Sequence, residues 1–275
     1  MLIDVKPLAN TLTEKINEKI NSLGITPKLA AVTYKPDNST VSYLKSQQKI
    51  AKKFNIDYEI LELNSPESIF NVLNELSNDM HTHGIFLTHP LPEIDEMEAL
   101  NSISPSKDVE GRHPYNLGML IYGKEIFAPC TAEAVVKILE EIIEITGKNV
   151  VIIGRSSTVG KPLSIMLLRR DRSATVTVCH TRTKNLEVLT KNADIVVAAA
   201  GKANLVTKDM IKENSIVIDV GINVIDNKIV GDVSNDVSEI ASVTPVPGGV
   251  GKITTLLLMG HVVKAAEIIH KNLNK

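Results

Sequence analysis

The sequence of 275 residues contains only two cysteines, Cys130 and Cys179. Two cysteines are too few for a disulfide framework, so we expect reduced thiols in a cytoplasmic protein. A lone buried cysteine is more often a packing residue than a nucleophile, and we interpret Cys130 in that way. The formal net charge is −2, which argues against nucleic acid or an anionic membrane surface as the main partner.

Long hydrophobic runs and targeting signals are also missing. No apolar run approaches the roughly 20 residues that span a bilayer, so we expect no membrane partner. The run MLIDVKP carries an acid at Asp4 and no apolar core, which is unlike a signal peptide. The sequence shows no internal repeat and no low-complexity tract. With 43% hydrophobic residues, the chain can bury the core of one large or two ordinary domains.

Apolar strands and amphipathic helices alternate along the chain, which predicts α/β architecture in two lobes with a ligand cleft between them. The predicted strands are 28–34, 56–63, 84–88, 149–153, 174–179, 194–199 and 215–219. The predicted helices include 12–23, 39–54, 65–80, 131–146 and about 252–272. Residues 104–129 are rich in Gly, Pro and His and are predicted to be irregular. A connection of that length is usually functional.

The stretch NVVIIGRSSTVGKP, residues 149–162, is predicted to bind a phosphate. A β-branched run ends at Gly154, and Gly160 with Pro162 opens an apolar helix. Glycine lets the backbone approach a pyrophosphate, and a helix N-terminus favours an anion. The G-x5-G spacing differs from the common dinucleotide fingerprint, so these residues alone leave an ordinary strand-to-helix turn as an equal alternative.

The next strand, 174–179, favours a dinucleotide because it follows at the distance expected of a βαβ unit. An NAD site usually carries an acid near the end of this strand, where it binds the ribose 2′-hydroxyl. Here the strand ends in His180, Thr181, Arg182 and Thr183, without an acid. These hydroxyls and cations, together with Arg155 in the first turn, suit a 2′-phosphate. The sequence therefore predicts NADP over NAD.

The helix at 39–54 places an aromatic residue and an amide on one face. At 100° per residue, Gln47 lies within about 40° of Tyr43. The residues on the far side are Lys45, Lys49, Lys52 and Lys53. We therefore expect Tyr43 and Gln47 to face inward and the lysines to form a solvated stripe. From the pattern alone, the simpler interpretation of Tyr43 is a core aromatic with a satisfied hydroxyl.

Seven runs occur in the order of a known family, namely STVSYLKSQQK, GIFLTHPLP, KDVEGRHPYNLG, PCT, GRSSTVGKP, VIDVGIN and TPVPGGVGKIT. Over essentially its whole length the chain resembles the methylenetetrahydrofolate dehydrogenase/methenyltetrahydrofolate cyclohydrolases. The resemblance implies a homodimer of two-lobed subunits that binds tetrahydrofolate and NADP. It implies oxidation of 5,10-methylenetetrahydrofolate to the methenyl cation, followed by hydrolysis to 10-formyltetrahydrofolate, in one-carbon metabolism. The length of the substrate's glutamate tail is left open.

The resemblance implies a folate-binding catalytic domain at 1–130, completed by helix 252–275, and a Rossmann-like NADP domain at 131–251. It implies catalytic roles for Tyr43, Gln47 and Glu110, and no metal ligand. The implied substrate-binding residues are Tyr43, Thr88, His89, Pro90, Leu91, Glu110, Pro247, Gly248 and Gly249. The implied cofactor-binding residues are Gly154, Arg155, Ser156, Val159, Gly160, Lys161, Pro162, His180, Thr181, Arg182, Ala200, Gly201, Gly221, Ile222 and Asn223. We interpret His113, Tyr115 and Asn116 as loop architecture beside the substrate.

The sequence departs from the family pattern at three of four catalytic positions. Tyr43 is kept, and the departures are Gln47 for a lysine, Thr88 for a glutamine and Glu110 for an aspartate. In addition, His89 and Arg112 stand for a leucine and a phenylalanine. An amide cannot transfer a proton at neutral pH, whereas hydride transfer needs no protein proton donor. We therefore predict a dehydrogenase with weak or absent cyclohydrolase activity.

Two alternatives are kept open. Lys252 or His89 could restore proton handling and give a full bifunctional enzyme, although a solvated or packed side chain is the simpler interpretation of each. The other alternative, from a different class, is a non-catalytic folate- or nucleotide-binding protein.

Overall fold

The computed structural model describes residues 1–226 and 228–273, and these form two compact units. We call the described residues 11–130 and 255–273 the first unit, and the described residues 1–10, 131–226 and 228–254 the second unit. The last two residues of the predicted helix 252–275 lie outside the described residues.

The first unit is built on a short parallel sheet whose strands lie in the order β2-β1-β3. These strands are β1 (Lys28–Tyr34), β2 (Asp57–Leu63) and β3 (Gly84–Leu87). The helices are α1 (Lys6–Leu23), which starts in the second unit, α2 (Asn38–Lys53), α3 (Pro66–Asn78), α4 (Glu96–Asn101) and α5 (Pro114–Leu120). The strands and long helices that the sequence predicts here are confirmed.

Side-chain caps fix the starts of the helices in the first unit. An oxygen of Asp37 accepts the N–H of Thr40 at 2.7 Å, and Ser65 Oγ accepts that of Ser68 at 3.3 Å. Such caps satisfy N–H groups that the first helical turn leaves unpaired. The Asp37 cap therefore fixes the start of α2, the helix that carries Tyr43 and Gln47.

The prediction that residues 104–129 are irregular throughout is wrong, because α5 lies within them. This helix begins after His113, whose Nδ1 accepts the N–H of Tyr115 at 2.9 Å. Its seven residues make only about two turns, which is too short to show a helical period.

The second unit contains a parallel sheet in the order β10-β7-β6-β4-β5. The strands are β4 (Asn149–Ile153), β5 (Thr175–Cys179), β6 (Ile195–Ala198), β7 (Ile216–Asp219), the hairpin β8 (Asn223–Ile225) and β9 (Lys228–Val230), and β10 (Ser242–Val243). The helices are α6 (Cys130–Ile142), α7 (Gly160–Leu168), α8 (Leu186–Lys191) and α9 (Val250–Leu273), which continues into the first unit. The chain passes from β4 to β5 on one side and then to β6 on the other. The predicted Rossmann-like architecture is confirmed, with its switch point at the carboxyl ends of β4 and β6.

Residues 1–10 belong to the second unit, whereas the sequence analysis grouped them with the first. The Ile3 N–H donates to Val243 O at 2.8 Å, and the Val243 N–H donates to Met1 O at 2.9 Å. The segment thus pairs with β10 at the sheet edge, where backbone groups would otherwise lack partners. Pairing between residues this far apart leaves no local sequence pattern.

Each unit has its own apolar core. In the first unit it includes Val32, Ile69, Leu73, Ile85 and Leu87, and in the second unit Val151, Ile153, Val196, Val217 and Val243. Both cysteines, Cys130 and Cys179, are buried.

Helix α9 is long and apolar enough, by length and composition, to cross a membrane. This differs from the expectation that no segment of the chain reaches such a length. Of its most apolar window, 61% is buried inside the structure. A buried core helix meets the same criteria, so the helix is weak evidence for a membrane span.

Candidate active site

Gln47 lies inside the first unit and has no exposed surface. Its Oε1 accepts a hydrogen bond from Tyr58 Oη of β2 at 2.7 Å. Within the described chain, its Nε2 has no hydrogen-bond partner. Leaving a buried polar group unpaired costs about 1–3 kcal/mol. The Gln47 side chain also interacts with the Tyr43 hydroxyl, and Gln47 occupies the inward position that the helical pattern predicts.

Tyr43 lies at the edge of the buried face of α2 and is 41% exposed, more than the expected inward position implies. Its ring centroid lies 6.1 Å from that of Phe86 in β3, with the planes tilted by 54°. Burial, then the Glu110 charge, raises the pKa of the Tyr43 hydroxyl, and the Gln47 side chain opposes this shift. The hydroxyl therefore lies near Gln47 and Glu110, while part of the ring is open to a ligand.

The lysines of α2 lie on the exposed side of the helix, as predicted. Lys49 lines a separate surface cavity, which it shares with Thr26, Gln48, Lys52, Asn55, Ile56, Asp57 and Tyr58. Its side chain thus faces away from the Tyr43 edge of the helix. Lys49 does not take the place of the ammonium group that position 47 lacks.

Thr88 follows β3 and is buried. Its Oγ1 donates a hydrogen bond to Thr33 Oγ1 at 2.9 Å, which anchors the short side chain to the end of β1. The next peptide bond, His89–Pro90, is cis. Leu91 is buried in the core of the first unit, whereas His89 and Pro90 are exposed. Of these predicted substrate residues, His89 and Pro90 thus lie at the surface.

Glu110 forms an ion pair with Arg112, a residue that the sequence analysis noted only as a departure from the family pattern. Arg112 Nη1 lies 3.0 Å from Glu110 Oε2. Burial, then the neighbouring Asp108 carboxylate, raises the pKa of Glu110 above its usual range. The guanidinium opposes that rise, because an opposite charge favours the ionised carboxylate. Burial lowers the pKa of Arg112 to about 10, so Arg112 is charged at neutral pH.

Asp108 organises the loop before α5, and the sequence analysis did not assign it a role. Its carboxylate accepts the backbone N–H of Arg112 at 3.1 Å, that of His113 at 2.8 Å, and Asn116 Nδ2 at 2.8 Å. The proposed loop role of His113 and Asn116 thus has a structural basis in these bonds. Burial raises the pKa of Asp108 to about 6.

In the second unit, two glycines allow the turn after β4 to close. Gly154 has a φ of +132°, and a Cβ on it would lie 2.1 Å from Ala199 O. A Cβ on Gly160 would lie 2.0 Å from Gly154 O. No side chain caps the following helix, α7. The backbone therefore approaches closely at this turn, and the helix N-terminus can receive an anion.

The predicted cofactor residues gather at the carboxyl ends of β4, β5, β6 and β7, and in the first turn of α7. The exposed ones are Arg155, Ser156, Lys161, Thr181, Arg182, Ala200, Gly201 and Ile222, and the partly or fully buried ones are Gly154, Val159, Gly160, Pro162, His180, Gly221 and Asn223. Ligands of open parallel sheets bind at this edge, beside the switch point.

Asp232 ties together two loops of this edge, and the sequence analysis did not identify it. It is fully buried. Its carboxylate accepts the N–H groups of Ala200, Gly201 and Lys202 at 2.7, 2.8 and 2.9 Å, and Asn223 Nδ2 at 2.9 Å. The partners lie more than 25 residues upstream or across the hairpin, so no local spacing reveals the role.

Replacing Asp232 with asparagine is expected to weaken NADP binding by about tenfold or more, because the amide loses the charge that holds three backbone donors. Binding can be measured by calorimetric titration with NADP, and folding by thermal denaturation. The matched control is Asp236→Asn, since Asp236 is exposed nearby and its loss should leave NADP affinity unchanged. Equal affinity in both variants would contradict this role for Asp232.

The turn at 245–249 belongs to the second unit. Pro247 and Gly248 are exposed, Gly249 is buried, and Lys252 is exposed in the first turn of α9.

Within the first unit, the structure brings the three predicted catalytic residues, Tyr43, Gln47 and Glu110, together. Among the residues described, no group of three or more His, Cys, Asp or Glu side chains could hold a metal ion.

Two family models match the chain. The catalytic domain of tetrahydrofolate dehydrogenase/cyclohydrolase matches residues 3–110, and the NAD(P)-binding domain of the same family matches residues 129–270. A bifunctional protein FolD from Thermosipho africanus is 69% identical, covering 97% of this chain and 98% of that protein.

Solved structures give the same relationship. The bifunctional FolD methylenetetrahydrofolate dehydrogenase/cyclohydrolase from Campylobacter jejuni matches with a TM-score of 0.92 and 40% identity, over 98% of this chain and 99% of that one. The dehydrogenase-cyclohydrolase from Trypanosoma brucei, complexed with NADP cofactor and inhibitor, matches with a TM-score of 0.91 and 30% identity, over 100% and 99%. The chain belongs to the tetrahydrofolate dehydrogenase/cyclohydrolase family and carries its NAD(P)-binding domain.

Proposed function

We propose that this protein oxidises 5,10-methylenetetrahydrofolate to 5,10-methenyltetrahydrofolate with NADP, and that its cyclohydrolase activity is weak or absent. Family membership supports the dehydrogenase. The observation that carries the second part is Gln47, a buried amide hydrogen-bonded to Tyr58. An amide neither gains nor loses a proton at neutral pH.

The folate is proposed to lie against Tyr43 and Glu110. The exposed part of the Tyr43 ring offers an apolar face for a pterin. The Glu110 carboxylate, 18% exposed, can accept N–H donors from the amino-pyrimidine edge. Gln47 lies behind Tyr43, with its side chain directed at the Tyr43 hydroxyl. Thr88, His89 and Pro90 of the first unit are the other proposed folate contacts.

The edge of the second unit fits a phosphorylated dinucleotide. The close turn at Gly154 and Gly160 and the uncapped start of α7 suit a pyrophosphate. Arg155 and Arg182 are exposed cations at this edge and suit a 2′-phosphate. NADP, when bound, supplies the hydride acceptor. The Trypanosoma brucei relative complexed with NADP supports this choice over NAD.

The two reactions of the family place different demands on the protein. Hydride transfer requires two carbons to be held at near-contact distance with water excluded. Addition of water to the methenyl carbon and opening of the ring require proton transfers. A positioned acid or base typically contributes 10²–10⁴-fold to such a step. The Gln47 amide, in place of an ammonium group, therefore removes proton transfer from the hydrolysis step. Hydride transfer does not need that proton and is unaffected.

The dehydrogenase is tested by following NADPH formation from 5,10-methylenetetrahydrofolate. We expect turnover, with kcat/KM about tenfold or more higher for NADP than for NAD. NAD lacks the 2′-phosphate, and loss of one charge-assisted contact to it costs at least about that factor. A preference for NAD would contradict the cofactor assignment. Binding of both ligands by calorimetry without NADPH formation would instead indicate the non-catalytic binding protein.

The second candidate is the full bifunctional enzyme, which is favoured by the names of relatives up to 69% identical. It requires a proton carrier other than position 47. His89 is one candidate, since burial, then the Arg112 charge, lowers its pKa and leaves it neutral at pH 7. The other is the exposed Lys252. Ring opening that is present in the wild type and lost in His89→Ala or Lys252→Ala would establish this alternative and its carrier.

A further inference from the structure

We propose that Arg112 is a positioning residue that favours the ionised form of Glu110 and holds it in place for the folate, as the buried centre of a Glu96–Arg112–Glu110 cluster. The proposal rests on the proposed function, in which Glu110 binds the pterin. Arg112 would then determine folate affinity from a position at which the family pattern has an apolar residue.

The guanidinium of Arg112 connects three separate segments of the first unit. Nη1 lies 3.0 Å from Glu110 Oε2 and donates to Leu87 O, at the end of β3, at 2.8 Å. Nη2 forms an ion pair with Glu96 of α4. Both hydrogen bonds thus come from Nη1, and the contact with Glu96 is an ion pair. A planar guanidinium can meet partners on several sides, which the single ammonium of a lysine cannot do. The Glu110 side chain is thereby tied to the strand end and to α4.

The arrangement leaves one carboxylate oxygen for a ligand. Arg112 Nη1 pairs with Oε2 of Glu110, so Oε1 remains to accept an N–H group. The side-chain exposure falls from 40% for Glu96 to 18% for Glu110 and 4% for Arg112. The cation is thus the most deeply placed member, and its attraction for Glu110 is screened least by solvent.

The charged and titratable groups around Glu110 determine how strongly the Arg112 cation affects its protonation. Glu110 faces Asp108 of its own loop, Tyr43 of α2 and Tyr58 of β2. Farther out, Cys130 faces Tyr43, His261 of α9 faces Asp108, and His89 and Glu96 face Arg112. Arg112 is the permanent cation of this set. Without it, burial and the Asp108 charge would both favour a protonated Glu110.

Protonation of Glu110 would weaken folate binding, because one carboxyl oxygen would become a donor facing the donors of the pterin. Burial and Asp108 raise the pKa of Glu110, and the Arg112 cation opposes that rise. Without the cation, the pKa of Glu110 rises further, and folate affinity returns only at a higher pH than in the wild type. Neutral substitutions at position 112 should therefore give a folate KM that falls with increasing pH.

The test compares the pH profiles of KM for 5,10-methylenetetrahydrofolate in four proteins. Arg112→Gln removes the charge but keeps a donor for Leu87 O, and Arg112→Lys keeps the charge. The matched control is Arg172→Met, since Arg172 pairs with Glu140 and Asp171 in the second unit and is only 12% exposed. We expect a KM about tenfold or more above wild type at pH 7 for Arg112→Gln, falling as pH rises. Arg112→Lys should keep the wild-type pH profile, and Arg172→Met should lose thermal stability but keep that profile.

A flat profile for Arg112→Gln at the wild-type KM would overturn the proposal. So would an Arg112→Gln variant whose KM follows the wild-type pH profile at every pH. A wild type that forms no NADPH would contradict the proposed function instead. In that case, the pH dependence of the folate Kd, measured by calorimetry, tests Arg112 on the same criteria.

Discussion

Replacing Gln47 with lysine is expected to raise the rate of methenyl ring opening by about 100-fold or more, within the range that a positioned acid or base contributes. The new ammonium would lie where Gln47 Nε2 now lacks a partner, close to Tyr43 and Tyr58. Burial lowers the pKa of a lysine, which makes it a better proton carrier near neutral pH. The measurement is the decay of methenyltetrahydrofolate with the purified variant, relative to buffer.

The control for this gain is Ser46→Lys, which adds the same charge one residue away at an exposed position. It should leave the ring-opening rate at the wild-type value. If both variants gain equally, added positive charge explains the effect and the geometry at position 47 does not. If neither gains while the Gln47 variant remains folded, the amide is not what limits hydrolysis.

Replacing Gly160 with alanine is expected to weaken NADP binding by about tenfold to 100-fold. The added Cβ would lie 2.0 Å from Gly154 O, far inside normal contact distance, and backbone atoms cannot yield as a flexible side chain does. Overpacking of this kind costs about 1–3 kcal/mol or more, and the turn that must receive the pyrophosphate absorbs the displacement. Calorimetric titration with NADP measures the loss, and thermal denaturation measures the stability.

Gly118→Ala provides the comparison, because a Cβ there meets no atom within 4 Å. Gly118 lies within α5, so alanine should leave NADP affinity unchanged and raise stability by up to about 1 kcal/mol. Wild-type NADP affinity in the Gly160 variant would show that the close turn is not required for the cofactor.

The strands, the long helices and the phosphate turn could be predicted because their signals are local. The β-branched run 149–153 and the glycines at 154 and 160 lie within a dozen residues, and together they predict a strand followed by a phosphate-binding turn. Three short helices, α4, α5 and α8, were not predicted because six or seven residues show no helical period. The pairing of residues 1–10 with β10 could not be predicted, since its partners lie about 240 residues apart.

The residues that position the two sites, Asp108, Asp232 and Arg112, were harder to predict than the residues that they position. Asp108 and Asp232 each bind several backbone donors, and Arg112 joins α4, β3 and the Glu110 loop. Each role depends on which segments the fold brings together, and burial then decides the electrostatics. Gln47 could be placed inward from helical geometry, but its bond to Tyr58 and its unpaired nitrogen required the structure.

The central claim is that a fixed amide at position 47 leaves oxidation intact and hydrolysis without its proton carrier. The most direct test is the rate at which the purified wild-type protein opens methenyltetrahydrofolate, in the preparation that forms NADPH. We expect a ring-opening rate within about tenfold of the rate in buffer, because the 10²–10⁴-fold contribution of a positioned acid or base to the rate is missing. A rate that matches dehydrogenase turnover would contradict it.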